Sequence, residues 1–188
     1  MPKIVSLKKA GKLLKNGAVG VIPTDTVYGI VTTASSPETV ARLFDTKKRD
    51  GKPGTIIGSS IGQFVELGLK QRYIKPMAHH WPAPLSVVAP CVFGTLEYLH
   101  QGQGSLAIRI PDNGDLLQML EVSGPLMTSS ANHPGQPTAT NISEAINYFG
   151  DTVDFYVDGG ELKNSQPSTV VRVDDDEITV LRRGAYEL

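Results

Sequence analysis

Two hydrophobic periods alternate along this chain, and that alternation limits its fold more than any other feature. AVGVIP (18–23), GTIIGSS (54–60), LSVVAP (85–90), SLAIRIP (105–111), PLMTS (125–129), DFYVDGG (154–160), STVVRVD (168–174) and EITVLRRG (177–184) read as strands. Between them lie segments with helical spacing. Leu7, Ala10, Leu13 and Leu14 mark one face of a helix that Gly17 closes. Ser36 as N-cap, Pro37 at the first helical position and Glu38 beside it open a second helix. Residues 63–69 and 73–80 are expected to be helical, as is 113–124 with a glycine stop. Asn141 and Glu144 stand at capping-box spacing before ISEAINYF. Strands alternating with helices predict an α/β fold. The last two strands flank the acidic run DDDE as an antiparallel hairpin, so the sheet should be mixed.

A length of 188 residues and 40% hydrophobic content predict one domain over 1–188 with a sizeable core. The formal net charge of -1 argues against a global basic field for nucleic acid. One cysteine, Cys91, excludes an intramolecular disulfide. No apolar run approaches the roughly 20 residues of a membrane span, and the N-terminus has no signal-peptide core. These observations predict a cytoplasmic protein with no membrane contact.

The common ligand motifs are missing: there is no G-x-x-x-x-G-K-[ST] and no G-x-G-x-x-G. His79 and His80 are adjacent, so they do not share a helix face, and they read as packing or surface residues. Four other stretches carry more. PTDTVYG (23–29) presents Thr24, Asp25, Thr26 and Tyr28 at the end of a buried strand, either as a self-bonded turn or as a small polar site. DTKKRDGK (45–52) ends a helix with cations, which either answer the helix dipole or face an anion in a cleft. Arg109 within SLAIRIP must pair with something or reach a cavity. TSSANHPGQPTAT (128–140) combines side-chain donors with Gly and Pro, as a capped crossover loop or an anion-binding turn. Ser168, Thr169 and Arg182 in the last two strands add a weaker signal.

Seven stretches in one order, IPTDTVYGI, KKR, WPAPLSVV, LAIRIPD, SSANHPGQPTAT, DGG…STVV and VLRRGA, resemble the YrdC family. These are the threonylcarbamoyl-AMP synthases of tRNA modification. The resemblance implies a twisted mixed sheet with flanking helices around a deep, positively charged cavity. It implies that L-threonine, bicarbonate or CO2, and ATP give threonylcarbamoyl-AMP and pyrophosphate, the first step of threonylcarbamoyladenosine formation at tRNA position 37. Lys47, Arg49, Ser130 and Asn132 would then be catalytic. Thr26, Arg109, Thr128 and Ser168 would hold threonine, and Lys48, Ser105, Ser130, Thr138 and Arg182 would line the ATP side. Mg2+ would arrive with ATP, without a protein metal site. The downstream tRNA threonylcarbamoyl transferase machinery would take the product, with a weak contact to tRNA or other RNA. The alternative is a double-stranded RNA or tRNA-binding protein without synthase activity. The chain departs from the family pattern in DGKPGT after Arg49, in Ala83 and Ser86 of WPAPLS, and in Ser129 of SSAN.

Overall fold

The computed structural model describes residues 2–48, 51–163, 165–174 and 177–188. In chain order its elements are α1 (Leu7–Lys15), β1 (Gly20–Ile22), β2 (Gly29–Thr33), α2 (Pro37–Lys47), β3 (Thr55–Ile57), α3 (Ile61–Leu67), α4 (Gln71–Ile74), β4 (Leu85–Pro90), α5 (Glu97–His100), β5 (Ser105–Arg109), α6 (Gly114–Ser123), β6 (Leu126–Ser130), α7 (Ile142–Phe149), β7 (Phe155–Tyr156), β8 (Thr169–Asp174) and β9 (Glu177–Arg182).

Helix starts follow their caps. The Ser36 hydroxyl accepts from Thr39 N, Asn113 Oδ1 from Leu116 N, and Asn141 Oδ1 from Glu144 N. Glu144 returns the contact one residue early, accepting from Thr140 N at 2.8 Å. Asn141→Ala should lower stability by about 1 kcal/mol. A reduced urea midpoint at unchanged m-value would show it.

Two expectations need correction. The helix expected over 73–80 is divided: α4 ends at Ile74, and Lys75–His80 form a 3-10 helix. Pro76 has no N–H to continue an α-helical ladder. GIVTT was not anticipated as a strand, yet it forms β2 with all five residues buried. A strand covered on both faces shows no polar alternation to reveal it.

Among the described residues the strands form one mixed sheet, ordered β7-β1-β2-β6-β3-β5-β4-β8-β9. β1 and β2 are antiparallel neighbours, so PTDTVY connects two strands of a hairpin. β8 and β9 pair antiparallel as expected. Successive residues along the central strands point to opposite faces. Ile22, Val31, Ile57 and Leu126 pack with Ala10 and Leu14 of α1 and with Leu116 and Leu120 of α6. Their neighbours Val21, Ile30, Ile56 and Met127 belong to the larger core, with Val40 and Leu43 of α2 and Phe149 of α7. No helix among the described residues is long and apolar enough to cross a membrane.

Candidate active site

A cavity of about 660 Å³ opens on one face of the sheet. Its floor is a transverse row of register partners: Thr128 on β6, Thr55 on β3, Ala107 on β5, Val88 on β4 and Arg172 on β8. Strand alternation places Ser105, Ala107 and Arg109 of β5 along the cavity, while Leu106 and Ile108 enter the core. The small side chains Ser, Thr and Ala leave the volume that larger residues would fill. Lys52, Arg109, Arg172 and Arg182 contribute to the lining, and no Asp or Glu does among the described residues.

At one end, the β1–β2 loop treats its two threonines differently. Thr24 Oγ1 donates to Val27 O and accepts from the Thr26 and Val27 amides, so it is consumed by the turn. Thr26 Oγ1 lies 3.0 Å from it and 3.4 Å from an Arg109 NH2. Both threonines line the cavity, but Thr26 keeps bonding capacity for another molecule. Gly29 brings β2 close here, because a Cβ at that position would stand 2.7 Å from Thr128 Oγ1.

Arg109 is buried, with 5% of its side chain exposed, and its partner Asp25 has 2% exposed. The guanidinium stands 3.1 Å from Asp25 Oδ1, close enough for strong attraction but poorly aligned as a hydrogen bond. Asp25 Oδ2 accepts from Asp112 N at 3.2 Å. Burial lifts the Asp25 carboxyl above its ordinary range, with the Arg109 charge acting against that rise. Burial likewise pulls Arg109 below its usual value, opposed by Asp25. Beyond Arg109, the Ser86 and Ser168 hydroxyls are 2.9 Å apart, and Arg182 NH2 donates to Ser168 Oγ at 3.1 Å. Arg182 is lowered first by burial and then by the like charge of Arg109, so the two cations feel one another.

The loop after β6 is tied from the far side by Lys47. Its buried ammonium donates to the carbonyls of Ser130 and Asn132 and, at 2.7 Å, to Asn132 Oδ1. Ser130 Oγ donates to the same Asn132 oxygen at 2.7 Å. The Asn132 amide holds Gln136 O at 2.7 Å and closes the turn.

Thr26, Arg109, Thr128, Ser168, Ser105, Ser130, Thr138 and Arg182 therefore share one cavity. Lys47 and Asn132 meet at its edge through the loop bonds. Lys48 is placed differently from the ATP side expected of it. It ends α2 in a left-handed conformation, with φ 53°, and it is exposed and absent from the cavity lining. Arg49 lies outside the described residues. Asp25 was anticipated within the polar PTDT stretch but not as the partner of Arg109, and Ser86 was not anticipated beside Ser168. Their signals, a carboxylate in PTDT and a hydroxyl in WPAPLS, gain meaning only from Arg109 and Ser168, distant in the chain.

The sequence profile of the Sua5/YciO/YrdC family, described as "Telomere recombination", matches residues 12–184. The chain belongs to the Sua5/YciO/YrdC family. It is 30% identical over 183 residues to the threonylcarbamoyl-AMP synthase of Bacillus subtilis, covering 95% of this chain and 53% of that relative. It is 28% identical to the threonylcarbamoyl-AMP synthase of Marinobacter nauticus, covering 92% of this chain and 93% of the relative. Among solved structures it is similar to Pyrococcus abyssi Sua5 complexed with L-threonine, with 26% identity and a TM-score of 0.85 over 98% of this chain and 57% of that one. The chain thus spans about half the length of the Bacillus and Pyrococcus relatives. The Sua5-like fold bears out the expected mixed α/β sheet with flanking helices.

Proposed function

We propose that this chain is an L-threonylcarbamoyladenylate synthase, joining L-threonine, bicarbonate and ATP into threonylcarbamoyl-AMP with release of pyrophosphate and water. The observation that carries this is the cluster of Thr26, Arg109, Thr128 and Ser168 at one cavity, in a fold shared with a Sua5 that binds L-threonine. The synthase names of the Bacillus and Marinobacter relatives support it. No comparable observation favours the RNA-binding alternative.

The chemistry requires two anions to meet. Bicarbonate gives up hydroxide to become CO2, the neutral threonine amine attacks the carbon as one C–O π bond opens onto oxygen, and the amine proton joins the hydroxide as water, leaving an N-carboxylate. A carboxylate oxygen then attacks the ATP α-phosphorus in line, and pyrophosphate departs with the electrons of the broken phosphoanhydride bond. Arg109 supplies positive charge at the threonine end, and Arg182, Lys52 and Arg172 supply it along the cavity toward the nucleotide. Ser130 offers a hydroxyl at the loop, and Lys47 fixes that loop. No residue forms a covalent intermediate, so positioning provides most of the rate, a contribution of roughly 7–11 kcal/mol in well-oriented reactions. Mg2+ enters as part of the nucleotide substrate. The product passes to the tRNA-modifying machinery in the cytoplasm.

Incubation with ATP, Mg2+, L-threonine and labelled bicarbonate should place the label in an adenylate without RNA. Label that stays out of nucleotide, or ATP turnover indifferent to threonine, would refute the assignment.

A further inference from the structure

We infer that Ser86, buried behind the cavity wall, is a positioning residue that turns the Ser168 hydroxyl proton toward the carboxylate of the bound amino acid. The inference rests on the synthase proposal for the identity of that ligand and adds a residue that proposal does not use. Ser86 is fully buried and does not line the cavity; Ser168 is nearly buried and does.

Their hydroxyl oxygens lie 2.9 Å apart, so one must donate to the other. Each hydroxyl has one proton and two lone pairs, whereas a guanidinium only donates. Arg109 NH1 approaches Ser86 Oγ at 3.5 Å, and Arg182 NH2 donates to Ser168 Oγ at 3.1 Å. If Ser168 donated to Ser86, the Ser86 proton would have no acceptor among the described residues. A buried donor would then lose its water without compensation. If Ser86 donates to Ser168, Ser86 is satisfied as donor and approached as acceptor. Both Ser168 lone pairs are filled, by Ser86 and Arg182, and the Ser168 proton is the one that remains. The open space beside it is the cavity.

The backbone keeps this direction. Arg182 Nε and NH2 both donate to Ser168 O, at 3.1 and 2.8 Å. Thr169 Oγ1 accepts from the Gly184 and Tyr186 amides and donates to Tyr186 O, which pins the start of β8. The hydroxyl chain therefore ends in a fixed donor beside the buried Arg109 cation. A carboxylate is the acceptor that answers a hydroxyl and a guanidinium together.

Calorimetric titration of L-threonine and, separately, of ATP tests this on the whole chain. Ser86→Ala should weaken threonine about 10-fold, the scale of one lost hydrogen bond. Ser86→Thr, which keeps the hydroxyl, should stay within about 2-fold of the wild type, and ATP should move by less than about 2-fold in both. Ser86→Cys, close in volume but a weak donor, reads the same effect if Ser86→Ala does not fold. Equal weakening by the Ala or Cys variant and the Thr variant, or a loss of ATP affinity matching that of threonine, would overturn the positioning role. A wild-type chain that does not bind L-threonine would instead refute the synthase proposal beneath it.

Discussion

Arg109→Ala is expected to lower the unfolding free energy by about 3–5 kcal/mol and to remove threonine binding. Its guanidinium is one half of a buried ion pair whose other half, Asp25, is shielded from water. Deleting the cation leaves a buried carboxylate held by the Asp112 amide without the guanidinium charge beside it. Burial already raises the Asp25 carboxyl pKa, and loss of Arg109 removes the main opposing charge. A carboxyl whose folded pKa exceeds its unfolded one holds its proton more tightly when folded. Its destabilising effect is therefore full above the folded pKa and fades as the pH falls through it. Urea unfolding of Arg109→Ala should show the deficit shrinking toward acid pH. Asp25→Asn in the same background should recover part of it at neutral pH. A deficit independent of pH, or no gain from Asp25→Asn, would mean that Asp25 does not carry the cost.

Lys47→Ala is expected to reduce adenylate formation by about 100-fold or more, as misplacement of catalytic groups does, while the chain still folds. The ammonium holds two carbonyls and the side-chain oxygen of Asn132, and these bonds set the path of the loop bearing Ser130. Without it the Ser130 hydroxyl loses its place relative to the reacting oxygens. Label incorporation from bicarbonate measures the loss, and circular dichroism with thermal melting checks the fold. Near-normal pyrophosphate release would show that this clamp is not needed. The equal loss expected for Arg49→Ala rests on the resemblance alone.

Much of the architecture was legible because local chemistry and tertiary structure agree. Ser36, Asn113 and Asn141 cap helices where their sequence positions suggest, since a cap bond spans only three residues. β4, β5 and β8 appear as apolar runs. β2 stayed hidden because it lies between β1 and β6 with both faces covered, so the polar alternation that marks a half-exposed strand never arises. The expected helix over 73–80 failed at Pro76, where the periodicity continues but the backbone donor does not.

The candidate site divides in the same way. By order and residue type, the sequence alone determined the α/β class, the family resemblance and a set of polar groups, eight of which meet at one cavity. Such patterns survive in a linear string because they depend on near neighbours and their order. Only the tertiary structure decided that Thr24 rather than Thr26 is consumed by the turn, that Arg109 is balanced by Asp25, and that Lys47 braces a loop while Lys48 is exposed and off the cavity lining. It alone brought Ser86 to Ser168. Each of these depends on desolvation and on angstrom-scale distances between strands far apart in the chain, and neither is written in the spacing of residues.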